Sequence, residues 1–231
     1  MTKIMFCGII DQSFAQLRGL PFERNFKAHI MKINIQMRLM LTVFTLVFAL
    51  NAHAQESYTL KSSKSSIQGT SSLHDWESEI TKAEYKGVFQ FANNAVKSIP
   101  SAEIKIPVKG IKSTKGKTMD NKTYDAFLYK KNPYITFTLA TTKLNAGVSG
   151  TTLVTAAGNL TMAGVTKPIT LDASLKVLPN GELQLTATKK LKMTEFKMEK
   201  PTALMGTIVV GDEVTINIDF VLTTTPEHAK K

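Results

Sequence analysis

The chain has 231 residues, a formal charge of +11 and one cysteine. Its length suits one or two domains, and a lone thiol excludes both an internal disulfide framework and a cysteine-type zinc site. The lysines are scattered, without the clustered arginine and exposed aromatic residues of a nucleic-acid binder, so no nucleic-acid partner is expected.

Residues 1–30 show no structural period and carry Cys7. They read as an upstream extension that is not part of the fold. From Met31 the pattern is sharper. Lys32 and Arg38 form a basic segment, Leu39 to Leu50 is apolar and uncharged, and Ala52-His53-Ala54 is a small-x-small cleavage site. Residues 31–54 therefore read as a signal peptide cleaved near Ala54-Gln55. The apolar run falls short of the roughly 20 residues a membrane helix needs. A periplasmic or secreted protein with no stable membrane span after cleavage is the expectation. Cleavage leaves 177 residues at +7, because six basic and two acidic residues go with the leader, and it leaves no cysteine.

From Gln55 on, alternation dominates. Ser57 to Lys61 and Ser66 to Leu73 are extended, with Gly69 at a bend. His74-Asp75-Trp76 follows, and Glu77 to Lys82 continues. Tyr85, Gly87, Phe89 and Phe91 share a face. Ile104, Ile106 and Val108 alternate with Glu103, Lys105 and Pro107. Residues 119–130 read as the one helix, capped by Thr118, with Asp120 in its first turn and Tyr124, Phe127 and Leu128 on one side. Asn132-Pro133 ends it. Strands resume with Ile135, Phe137 and Leu139. A hairpin follows from Ala156 to Val177: Leu160 and Met162 lead into Ala163-Gly164, and Ile169, Leu171, Ala173, Leu175 and Val177 lead out. Pro179-Asn180-Gly181 is a turn. Lys189 to Pro201 is mixed, with Leu191, Met193 and Met198 able to face inward. Glu213 to Leu222 is the cleanest strand, and residues 223–231 form a polar tail. Period-two alternation marks strands with one dry face. Many short antiparallel strands and one helix predict an all-β fold: a single antiparallel β-barrel of about eight strands with one short helical insert, over residues 55–222. Eight strands close around side chains or one small ligand.

Chemistry is sparse. His74 and Asp75 are neighbours on an extended chain, point to opposite faces and do not suit a dyad. No nucleophile elbow accompanies them, and the only other histidine after residue 54 is His228. No catalytic residue, metal site or cofactor is expected, and an enzyme using His74 is the weakest of three readings. What is abundant is inward apolar surface. If the barrel is hollow, alternation assigns its lining to Trp76, Phe89, Phe91, Ile106, Phe127, Phe137, Leu139, Leu160, Met162, Leu171, Met193, Met198, Met205, Ile218 and Phe220. The methionines suit an adaptable wall. If it is filled, the chain is a non-catalytic interaction or envelope-stress module. Alternation does not separate the two, and it carries no signal for oligomeric state.

Five segments in order resemble the YceI-like family of exported lipid-binding proteins: GTSSLHDWE (69–77), KSIPSAEIKIPVKGIKS (97–113), MDNKTYDAFLYKKNPYITF (119–137), GNLTMAGVTKPITL (158–171) and KMTEFKMEKPTALMGTIVVGDEVTINIDF (192–220). The resemblance implies a lipocalin-like barrel with the helical insert packed against it. It also implies a long apolar tunnel for an isoprenoid-like or other long-chain lipid, such as a polyprenyl quinone precursor, held for transport, storage or sequestration. It implies no catalysis.

Overall fold

The computed structural model describes residues 55–93 and 95–225. The extension and signal peptide expected over residues 1–54, and residues 226–231 of the expected tail, lie outside the described residues. Twelve strands are described: β1 (Gln55–Ser63), β2 (Ser65–Ser71), β3 (Trp76–Ile80), β4 (Glu84–Ala92), β5 (Ala95–Pro107), β6 (Ile111–Ser113), β7 (Tyr134–Ala146), β8 (Thr151–Met162), β9 (Val165–Val177), β10 (Leu183–Lys192), β11 (Thr202–Ala203) and β12 (Ile208–Thr224). One α-helix, α1 (Lys117–Ala126), lies between β6 and β7.

Eight strands pair antiparallel in the order β1-β4-β5-β7-β8-β9-β10-β12, and β12 returns to β1. The sheet is therefore a closed all-β barrel with one helix, as the alternation predicts. Alternate residues are buried most clearly on β8: Val154, Ala156, Gly158, Leu160 and Met162. The hairpin joining β8 to β9 turns on Ala163 (φ 48°) and Gly164 (φ 80°). Two consecutive positive-φ residues give the turn whose twist matches that of the flanking strands. β12 runs to Thr224, two residues past the expected end of the domain, and Thr225 N–H donates to the Ser57 carbonyl at 2.7 Å.

β2, β3 and β6 extend the sheet beyond the barrel wall. β2 pairs with the first half of β12, β3 with β2, and β6 with β3. The chain passes from β1 to β2 at Lys64, whose N–H donates to the Asp219 carbonyl at 2.8 Å. One end of the barrel is thereby splayed, and α1 sits over it.

The two ends of the interior differ. At the end away from α1, Tyr58, Phe89, Phe220, Leu175, Leu183 and Leu222 are buried. Tyr58 meets Phe89 edge to face at 5.2 Å, and Tyr85 meets Phe220 at 6.4 Å. Such pairs add to the benefit of burying the rings. Burial and the neighbouring Glu56 push the Tyr58 hydroxyl up to about 12, and burial raises Tyr85 as well.

The helix differs from expectation at both ends. Gly116 (φ 90°) precedes it and Thr118 does not cap it. Asp120 is buried, and its carboxylate accepts Ser113 N–H at 2.7 Å and Lys112 Nζ at 3.3 Å. Lys112 also donates to the Tyr124 hydroxyl at 2.6 Å. These bonds clamp α1 to β6. The helix stops at Ala126 rather than running to residue 130. Tyr129 N–H donates to the Tyr124 carbonyl and Leu128 N–H to the Asp125 carbonyl, with the rings of Tyr124 and Tyr129 5.6 Å apart. That is a Schellman ending with Leu128 in the left-handed position (φ 50°). Leu128 is consequently 55% exposed and not on the inward face predicted from its spacing.

Leu128→Gly should stabilise the fold by about 1 kcal/mol, because glycine takes this φ without the Cβ penalty; a midpoint of chemical denaturation unchanged or lowered would contradict this. At alkaline pH the neutral forms of Tyr58 and Tyr85 favour the folded state. For Tyr58 that stability is complete below pH 10 and is lost as pH rises through about 12. An absorbance titration of the five tyrosines should show some ionising only as the barrel unfolds.

Candidate ligand cavity

The helix-capped end is not filled. A cavity of about 290 Å³ lies among the β2–β3–β6 extension, α1, and the adjoining ends of β7, β8 and β12. Ile67, Trp76 and Ile111 come from the extension, and Val210, Val214 and Ile216 from β12. The 3-10 turn Met193–Phe196 and the Lys197 backbone (φ 55°) fold the segment after β10 so that Met193 and Met198 face the void while Phe196 is buried beside them. From α1 come Met119, Thr123 and Ala126, spaced for one helical face.

Trp76 owes its position to a glycine. Its indole lies over Gly69, where a Cβ would come within 2.5 Å of a ring carbon. Its Nε1 donates to the Thr70 carbonyl at 3.0 Å. The expected bend at Gly69 is in fact a seat for this ring.

The mouth is polar. His74, Lys115, Lys122 and Thr202 line it, and no carboxylate lines the cavity. His74 sits in the β2–β3 turn, exposed, with Nδ1 2.7 Å from the main-chain carbonyl of Asp75. The Asp75 carboxylate does not orient it, so the structure assembles no His–Asp dyad here. Among the described residues no group of three His, Cys, Asp or Glu side chains is placed to hold a metal ion.

A second, smaller void of about 60 Å³ lies among β5, β7, β8, β9, β10 and β12. Ile135 and Ile216 line both voids and form the partition between them.

The residues chosen by alternation divide into three groups. Trp76, Phe127, Met162, Met193 and Met198 line the main cavity. Ile106, Phe137, Leu160, Leu171 and Ile218 line the smaller void. Phe89, Phe91, Leu139, Phe220 and Met205 line neither. Phe89 and Phe220 are packed inside the aromatic end, and Phe91 lies against Tyr58 and Phe89 at 6.0 and 6.4 Å. Leu139 packs on the core just before a bulge in β7. Met205 sits in a left-handed turn (φ 55°) that carries its side chain wholly into solvent, at 108% relative exposure. Met119, Thr123 and Ala126 were missed although their i, i+4, i+7 spacing was visible. Val214 and Ile216, on the dry face they share with Ile218, line the main cavity as well.

The YceI-like domain family model matches residues 58–222. BcnA of Burkholderia cenocepacia superposes with a TM-score of 0.53 at 20% identity, over 69% of this chain and 96% of that one. A polyisoprenoid binding domain from Saccharophagus degradans, implicated in plant cell wall breakdown, gives 0.55 at 13% identity, over 74% and 99%. A YCEI protein of Campylobacter jejuni is 25% identical over 64% of this chain and 86% of its own, with a TM-score of 0.46. No curated protein sequence matches the chain. The family match runs from Tyr58 in β1 to Leu222 in β12 and so takes in the whole barrel: this chain belongs to the YceI-like family.

Proposed function

We propose that this protein is an exported, non-enzymatic carrier that holds an isoprenoid-like lipid chain in the helix-capped end of its barrel, for transport, storage or sequestration. The observation that carries the reading is an apolar cavity of about 290 Å³ with a polar mouth, at one end of a barrel whose other end is filled by aromatic and leucine side chains. Membership of the YceI-like family supports it, as does the Saccharophagus degradans relative of the same fold, which is described as polyisoprenoid-binding. The leader-like pattern of residues 31–54 supports a periplasmic or secreted location.

The physical logic is burial. Each Å² of apolar ligand surface removed from water contributes about 25 cal/mol, and a chain lipid has little other means of crossing an aqueous compartment. The volume lies at the lower edge of the roughly 300–1,000 Å³ usual for small-molecule sites. The main cavity therefore takes one segment of a chain. A longer guest reaches the smaller void if Ile135 and Ile216 turn aside. The aromatic end is the observation favouring a filled barrel, and it confines the guest to the end under α1.

Trp76 is the only tryptophan and stands on the cavity wall, so its fluorescence reports occupancy. Prenyl chains added from detergent should shift its emission with saturation, and native mass spectrometry should show one chain per protein. Ala126→Phe, which puts a ring into the void without touching the strand ladder, should weaken uptake about tenfold or more while the melting temperature holds or rises. Undiminished uptake in that variant, or no uptake by the wild type, would sink the proposal.

A further inference from the structure

Three polar or charged residues are buried among the described residues: Ser65, Ser78 and Asp120. Two of them are accounted for. Ser65 accepts the Asp219 N–H at 3.1 Å and the Ser63 hydroxyl at 2.9 Å. Asp120 clamps the helix to β6. Ser78 is different. It is 2% exposed, it lines the main cavity, and its hydroxyl has no hydrogen-bond partner among the described residues. Side-chain polar atoms sealed entirely inside protein all have partners. Ser78 thus presents its hydroxyl to the void.

The position is one where strand logic calls for an apolar side chain. Trp76, Ser78 and Ile80 share the inward face of β3. Directly opposite on β6 stands Ser113, the register partner of Ser78, which also lines the cavity. The Ser113 hydroxyl accepts the Lys115 N–H at 3.1 Å and keeps its own proton to donate. Two neighbouring hydroxyls therefore stand side by side on a wall made mainly of Ile, Val, Met, Phe and Trp side chains. The Ser78 hydroxyl faces the void without a protein partner, so a guest that supplies one gains a hydrogen bond in largely apolar surroundings.

We propose that Ser78, assisted by Ser113, is the internal polar anchor of the cavity and hydrogen-bonds an uncharged oxygen on an otherwise apolar chain, the hydroxyl or carbonyl of a long-chain alcohol, ketone or quinone. The inference rests on the carrier reading above and adds the chemistry of the head group and its direction, oxygen inward beside Trp76. A phosphate or carboxylate does not fit this point. The two serines are neutral, the lysines lining the cavity, Lys115 and Lys122, are exposed, and burying an unpaired charge costs far more than one hydroxyl bond returns.

The test compares farnesol with farnesene, its hydrocarbon counterpart, by titrating Trp76 fluorescence in the wild type, Ser78→Ala, Ser78→Thr and Ser113→Ala. The readout is the ratio of the two affinities within each protein, which cancels changes in fold or cavity volume. Ser78→Ala should lower the farnesol-to-farnesene ratio about tenfold, the worth of one buried hydrogen bond. Ser78→Thr, which keeps the hydroxyl, should preserve the ratio, and Ser113→Ala should lower it severalfold. A ratio unchanged by Ser78→Ala overturns the anchor and leaves the carrier reading intact. Failure of both ligands to bind the wild type overturns both.

Discussion

β12 carries the closure of this barrel because its two edges are satisfied by different partners along its length. One edge pairs with β10 from Glu213 to Leu222. The other pairs with β1 near Phe220 to Thr224 and with β2 from Val210 to Asn217. Between them, Lys64 N–H and the Ser65 hydroxyl hold the Asp219 main chain across the gap. Both edges are thereby paired along most of β12, which is how a closed sheet avoids pairing with other chains. The same arrangement lets β2 diverge from β1 and turn outward to β3 and β6. The barrel is tight where β1 closes it and wide where β2 does. The cavity follows from that divergence.

The two ends then do different work. Aromatic and leucine side chains fill the tight end, and their packing supplies stability that a chain without cysteine after residue 54 does not draw from disulfides. The wide end has too few large side chains to fill it. Met193 and Met198 arrive from a 3-10 turn, and Met119 and Ala126 from a helix held by Asp120, Lys112 and Tyr124. Proteins otherwise pack to crystal-like density, so an apolar void of this size with a polar mouth points to a guest. The question posed by alternation, filled or hollow, has a divided answer in one molecule.

BcnA and the Saccharophagus degradans domain share the fold at 20% and 13% identity, where side chains have largely been replaced. What persists at that distance is the strand order and closure.

Much was legible before the structure. Val214, Ile216, Ile218, Phe220 and Leu222 alternate, and alternation says which face is dry because successive side chains leave a strand in opposite directions. It also gave an all-β barrel with one helical insert, and the order of five segments gave the family. Depth along the barrel axis was not legible. Phe220 and Ile216 share a face, yet one is packed among aromatic rings and the other lines a cavity, because parity is blind to what stands across the interior. Leu128 and Met205 were lost to left-handed turns that reverse a side chain within one residue, and α1 ended early because a Schellman closure, set by Tyr124 and Tyr129, outweighed its spacing. The sequence by itself determined the wall and its dry side, since those depend only on neighbours along the chain. Where that dry side encloses space was decided by tertiary structure alone, since it depends on the divergence of β2 from β1 and on which side chains meet from opposite walls.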